Sequence, residues 1–421
     1  MKKLLPTDSY ATRSTSVPSF GWPSFAAYVI SALLVISGCA DLERTHQTGS
    51  ETTSPSEGVI VAERIQLSSA ILGENREILI ATPEGYLESD ARYPVLYLLD
   101  GKQNLPHVLG SVDILTRTGG MPPTIIVGIV GADRDRDYST SQIESIPTSG
   151  GAPRFLSFLE EELIPFVDKN YRTMPFKILE GHSLGGSLTT HALISNTDLF
   201  DAHIIMSPAL WWDDRELLSR AATFFQDRTS LPKTVFLGIG TEDGYEMRQD
   251  LGNLADIIAN ADIPDLRWAH YEYDREGHMS APLQINYFGL RHVYADMRLS
   301  DALLENFQAD AFLAHENYIR EKYGAQAKQT GEAYVRLGFR LIADEKYDDA
   351  VVVLTRNAQA YPDWYMSYAW LADALEKQGD LRAALNNYQR ATDLAAKNGA
   401  PISAQFQENI ERITGIISDS D

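Results

Sequence analysis

The feature that most constrains this chain is a series of short, wholly apolar runs separated by stretches of helical spacing. Residues 95–99 (Val-Leu-Tyr-Leu-Leu) and 124–130 carry no polar alternation, as expected of strands buried on both faces of a parallel sheet. Further strands are expected at 59–67, 76–82, 177–180, 203–206, 234–239 and 267–273, with a turn at Gly73-Glu74-Asn75. Helical periodicity marks 155–167, 184–194 and 247–258. Glu160, Glu161 and Glu162 read as the solvated face of the first of these. Residues 102–120 and 131–153 read as loops. Such alternation predicts an α/β fold around a mostly parallel central sheet.

Within that frame the most informative stretch is Gly181-His182-Ser183-Leu184-Gly185, preceded by an apolar strand and followed by a helix. G-x-S-x-G in this context is a nucleophile elbow: flanking glycines relieve crowding on a tight turn that lifts the Ser183 hydroxyl above the sheet. A serine hydroxyl is a weak nucleophile until a base takes its proton and an acid orients that base. The order expected on this fold is serine, acid, histidine. His278, in Asp274-Arg275-Glu276-Gly277-His278, falls just past the last strand and is assigned as the base. His191, His203, His270, His292 and His315 lie within helices or strands and read as packing or surface residues. Asp243, in Gly240-Thr241-Glu242-Asp243-Gly244, is the favoured acid, with Glu242 its neighbouring alternative. An oxyanion hole needs two backbone N–H donors. Leu184 supplies one; Gly101 or Lys102, directly after the run at 95–99, supplies the other.

These residues resemble the esterase family of α/β-hydrolases that includes enterobactin- and salmochelin-type siderophore esterases, S-formylglutathione hydrolases and feruloyl esterases. The resemblance spans residues 59–298. It is carried by Pro94-Val95-Leu96-Tyr97-Leu98-Leu99-Asp100-Gly101, Asp133-Arg134-Asp135-Arg136-Asp137, Gly181-His182-Ser183-Leu184-Gly185-Gly186, Ser207-Pro208-Ala209-Leu210-Trp211-Trp212 and Gly277-His278. It implies a Ser-acid-His triad, with Asp or Glu as the acid, no metal or other cofactor, and ester hydrolysis through an acyl-enzyme. Arg134, Arg136, His182, Trp211 and Trp212 are the candidate substrate contacts. The Asp/Arg alternation reads equally as a self-paired surface turn, and the two tryptophans as an aromatic pocket wall or as packing for a loop. The rival functions are an interaction protein using the hydrolase fold as scaffold, and an acyltransferase using the same triad.

The flanks set the domain plan. Lys2, Lys3 and Arg13 precede an apolar run at 25–36, shorter than the roughly 20 residues a membrane span needs but suited to a signal peptide. It ends Ile36-Ser37-Gly38-Cys39, which resembles the lipobox of bacterial lipoproteins; Cys39 is the sole cysteine. The expectation is a signal at 1–38, lipidation at Cys39, a flexible tether at 39–58 and a periplasm-facing protein anchored to a membrane, the outer one favoured. Beyond a helical connector at 299–330, residues 331–398 match themselves at an offset of 34: Tyr334 with Tyr368, Leu337 with Leu371, Gly338 with Ala372, Ala350 with Ala384. That is a tetratricopeptide-like spacing over two units, followed by a capping helix and tail at 399–421. A peptide-binding groove for a protein partner is one reading; a helical lid or dimer surface is the favoured one. The net charge of −22 argues against nucleic acid.

Overall fold

A computed structural model of the chain describes residues 60–400 and 404–419. The expected lipidation residue Cys39, the signal and the tether lie outside the described residues. Eight strands form one sheet: β1 Glu63–Ser69, β2 Glu74–Ala81, β3 Tyr93–Leu99, β4 Ile125–Ile129, β5 Thr173–His182, β6 Ala202–Met206, β7 Thr234–Gly240 and β8 Arg267–Tyr273. Their order is β1-β2-β4-β3-β5-β6-β7-β8. β1 and β2 pair antiparallel, β2 meets β4 antiparallel, and all later neighbours are parallel.

The apolar runs behave as their composition requires. Every residue of β3, β4, β6 and β7 is buried. Along β3, Val95, Tyr97 and Leu99 enter one core while Leu96 and Leu98 enter another on the opposite face. At about 1.5–3 kcal/mol for each buried large side chain, the sheet is anchored on both sides.

The helices over this sheet are α1 Gly101–Arg117, α2 Arg134–Tyr138, α3 Ala152–Phe158, α4 Ile164–Asn170, α5 Leu184–Ser195, α6 Trp212–Gln226, α7 Tyr245–Ala261 and α8 Ala281–Val293. Two expectations need correction. Residues 102–120 are largely the helix α1, which carries Pro106 and Gly110 and so lacks a strong helical signature. The helix expected at 155–167 is broken by a π turn at Leu159–Leu163 between α3 and α4. Glu162 within that turn is no idle surface charge: its carboxylate accepts the N–H groups of Ala70 and Ile71 at 2.8 and 3.0 Å and closes the β1–β2 turn.

C-terminal to the sheet lie α9 Asp301–Glu305, α10 Ala309–Tyr323, α11 Gly331–Ala343, α12 Tyr347–Ala360, α13 Tyr365–Gln378, α14 Leu381–Lys397 and α15 Ala404–Ser418. The starts of α11 and α13, and of α12 and α14, stand 34 residues apart. A Cβ on Gly338 of α11 would come within 2.7 Å of Leu354 on α12, so a small residue is required where these helices cross. The connector joins the two parts through α10. Its Phe312 belongs to the helical core, while Ile319 and Tyr323 enter the sheet-side core, Tyr323 packing edge-on against Phe176 at 4.9 Å.

Candidate active site

Because β3, β5, β6, β7 and β8 run parallel, the segments after them emerge at one edge of the sheet. Those segments carry Gly101 and Lys102, Ser183, Ser207, Asp243 and His278.

Ser183 is wedged between β5 and α5 with φ 61° and ψ −120°. A non-glycine residue in this region costs about 1–3 kcal/mol. The turn is pinned through its backbone: Ser183 N–H donates to Met206 O at 3.0 Å, and Ser183 O accepts from Ser187 and Ala209 N–H at 3.0 and 3.1 Å. Gly181 and Gly186 are needed for close approach. A Cβ at Gly181 would fall 2.3 Å from Gly185 O, and one at Gly186 would fall 2.9 Å from Met206 O.

The loops after β7 and β8 are laced together. Thr241 N–H donates to Tyr273 O and Glu242 N–H to Glu276 O, both at 2.9 Å. This lacing brings Asp243 Oδ1 to 2.8 Å from His278 Nδ1. The other carboxylate oxygen accepts from Ser207 Oγ at 2.6 Å. Burial pushes the Asp243 carboxyl upward, but the hydrogen bonds from His278 and Ser207 outweigh it and hold the group below its ordinary range. An ionised Asp243 accepting Nδ1–H leaves Nε2 of His278 as the acceptor nitrogen. Glu242 points into solvent, so of the two candidate acids the structure brings only Asp243 to His278.

The His182 ring lies 4.4 Å from that of His278, which places His278 against the residue preceding Ser183. Burial, together with His278, pushes His182 down to about 4; it remains neutral near pH 7 and forms an uncharged wall beside the His278 ring. Leu184 opens α5, while Gly101 and Lys102 open α1. The first N–H groups of a helix have no intrahelical acceptor, so both helices present free donors at this edge.

Of the arginine candidates, Arg134 reaches the site: its Nε donates to the Asp100 carboxylate at 2.8 Å and its Nη2 to His182 O at 3.4 Å. Asp100 is buried, which raises its pKa against the pull of Arg134. Arg136 does not. Its guanidinium is engaged by Glu74 and Asp137, both at 2.7 Å, beside the buried Arg76. Trp212 is buried with Nε1 donating to Ser141 O at 3.1 Å, as packing requires, whereas Trp211 is 45 % exposed. The sequence reading missed Ser207; its position directly after an apolar strand and before Pro208 was the available signal. Ser207 is fully buried at φ 39°.

A mostly parallel sheet of this order, with a serine on a strained turn after its central strand, has the α/β-hydrolase fold. Residues 69–276 match the family described as "Putative esterase". The chain is 27% identical over 216 residues to the ferri-bacillibactin esterase BesA of Bacillus subtilis, spanning 45% of this chain and 75% of that protein. It is 35% identical over 106 residues to a siderophore enterobactin esterase of Emericella nidulans, 24% of this chain and 35% of that one. Among solved structures, an IroE-like serine hydrolase from Shewanella oneidensis is similar at TM-score 0.58 and 26% identity, over 71% of this chain and 99% of its own. An uncharacterised protein from Capnocytophaga ochracea shares the fold at TM-score 0.64 and 17% identity, over 84% of this chain and 99% of its own. That share exceeds what residues 60–298 make up, so the shared fold extends into the C-terminal helices.

Proposed function

We propose that this chain is a serine esterase acting on small-molecule esters of the siderophore type. The observation that carries the reading is the Asp243–His278 hydrogen bond at the sheet edge where Ser183 sits on its strained turn. In the mechanism, Nε2 of His278 takes the Ser183 proton as Oγ attacks the ester carbonyl. Asp243 fixes the tautomer and stabilises the imidazolium. The N–H groups of Leu184 and of Gly101 or Lys102 hold the developing oxyanion. His278 then returns its proton to the leaving alcohol, and a water deprotonated by the same nitrogen releases the acid from the acyl-enzyme.

The siderophore class is supported by the esterases named above that act on such ligands. Arg134 and the exposed Trp211 are the side chains read here as substrate contacts. The paired helices of the tail are read as tetratricopeptide-like repeats bracing the sheet through α10. The lipid anchor at Cys39 and the envelope location rest on the sequence alone; among the described residues no helix is long and apolar enough to cross a membrane. The reading is tested by Ser183→Ala assayed on p-nitrophenyl butyrate and on a catecholate triester. Turnover should fall by at least about 10³-fold on both, and activity near wild type would refute it.

A further inference from the structure

A cavity among the described residues lies away from the sheet edge that carries Ser183. It lies where the C-terminal end of α1, α8 and the segment after it meet α11, and encloses about 850 Å³, within the range of small-molecule sites. Its wall carries four arginines: Arg291 and Arg298 from the α/β side, Arg336 and Arg340 from α11. One acidic residue, Asp301, lines it with them. In a chain of net charge −22, this is a local reversal of sign.

The cations are poorly compensated. Arg336 and Arg340 stand one turn apart on the same helix face, where like charges repel. Arg336 faces Glu332 only at 3.8 Å, with both side chains more than 70% exposed, and Arg340 donates to the neutral carbonyl of Leu304. Arg291 lies over the rings of Tyr287 and Phe288 at 5.8 and 5.7 Å rather than against a carboxylate. The N-terminus of α11, capped by Thr330, opens onto the same space and adds the positive end of its dipole.

The junction is also built to close tolerance. Gly119, at φ 70°, lies so near Thr330 that a Cβ would meet its methyl at 2.5 Å. Gln329 Nε2 donates to Met297 O at 2.6 Å. The two walls that carry the opposing arginines are therefore held in fixed relation.

We propose that this cavity is a binding site, separate from the esterase centre, for a small ligand carrying two or more phosphate or carboxylate groups. The fork of each guanidinium suits bidentate capture of either group, and the placement of arginines on both walls favours a ligand with more than one anionic group. A ligand bridging the two walls would bind the docked arrangement of sheet and helices and stabilise it by mass action.

The test uses the purified full chain in about physiological salt, with inorganic pyrophosphate and citrate as probes by calorimetry and thermal melting. At least one probe should bind with a Kd below about 100 µM and raise Tm, and the stronger of the two tells phosphate from carboxylate chemistry. Arg336→Gln/Arg340→Gln should weaken that binding at least tenfold while the far-UV spectrum and esterase turnover stay as in wild type. Ser183→Ala should bind the probe normally, which keeps this result independent of the catalytic assignment. Binding of neither probe below about 100 µM, or binding undiminished in the double variant, overturns the proposal. Arginine-dependent sedimentation with vesicles containing phosphatidylglycerol, without binding of either soluble probe, overturns it as well, since the cluster would then serve an anionic surface.

Discussion

Replacing Asp243 by Asn tests the proposed chemistry at the residue where the sequence left two candidates open. The Asp243 side chain is 1% exposed and accepts two hydrogen bonds, from His278 Nδ1–H at 2.8 Å and from Ser207 Oγ at 2.6 Å. An Asn can keep one of these as acceptor but turns an N–H₂ toward the other partner. With Ser207 donating to the amide oxygen, the amide faces Nδ1, which must then accept, so Nε2 carries the proton and cannot take one from Ser183. A tautomer set wrongly in this way costs roughly 10³–10⁴-fold in kcat, or about 4–5.5 kcal/mol in transition-state stabilisation. The assay is kcat/KM on p-nitrophenyl butyrate at pH 7, with Glu242→Gln alongside. That control should stay within about twofold, because Glu242 is exposed and the imidazole is bonded by Asp243 instead. The same variant has a stability signature. The Asp243 carboxyl is held below its ordinary 3.8, so its contribution to stability is present above that value and is lost as pH falls through the depressed one. The Tm deficit of Asp243→Asn should thus be full at pH 7 and shrink toward pH 3. Activity of Asp243→Asn within tenfold of wild type, or an equal loss in Glu242→Gln, would refute the assignment.

Other perturbations read the fold around the site. Glu180 is fully buried on β5, its carboxylate oxygens each 2.9 Å from Asn286 Nδ2 on α8, and burial raises it to about 8. A raised carboxyl destabilises the fold progressively as pH climbs from the unfolded value near 4.5 toward 8. Glu180→Gln, whose amide can also donate to the unpaired Asn286 Oδ1, should gain several degrees of Tm relative to wild type between pH 5 and pH 8; a constant difference would contradict this. Gly338→Val should cost about 1–3 kcal/mol by overpacking against Leu354, seen as a lower urea midpoint with unchanged kcat. Gly181→Ala should lower both activity and stability, because the new methyl has no room beside Gly185 O; a fully active, stable variant would show that the elbow is looser than the geometry requires.

The placement of Ser183 and His278 at one sheet edge was legible because each is marked by local features: a glycine-flanked serine between strand and helix, and a histidine just past the last strand. Asp243 could only be narrowed to a pair, since choosing between neighbours depends on loop lacing set by partners 30 residues away. The continuous apolar runs identified β3, β4, β6 and β7 because full burial leaves no periodicity to misread. α1 escaped because Pro106 and Gly110 dilute its helical pattern, while packing against β4 through Gly101 and Gly128 overrides that weak propensity. The fate of the arginines was equally illegible. Arg134 and Arg136 sit two residues apart in a charge alternation, yet one meets Asp100 at the sheet edge that carries Ser183 and the other closes on Glu74 and Asp137. The basic cavity had no sequence signature either, since its four arginines come from segments joined only by folding.

The most direct test of the central claim is to treat the purified protein with a fluorophosphonate and locate the adduct by peptide mass spectrometry. The account predicts stoichiometric modification of Ser183 with parallel loss of esterase activity, and none in Ser183→Ala. Modification at another serine with loss of activity, or full activity in protein labelled at Ser183, would contradict it.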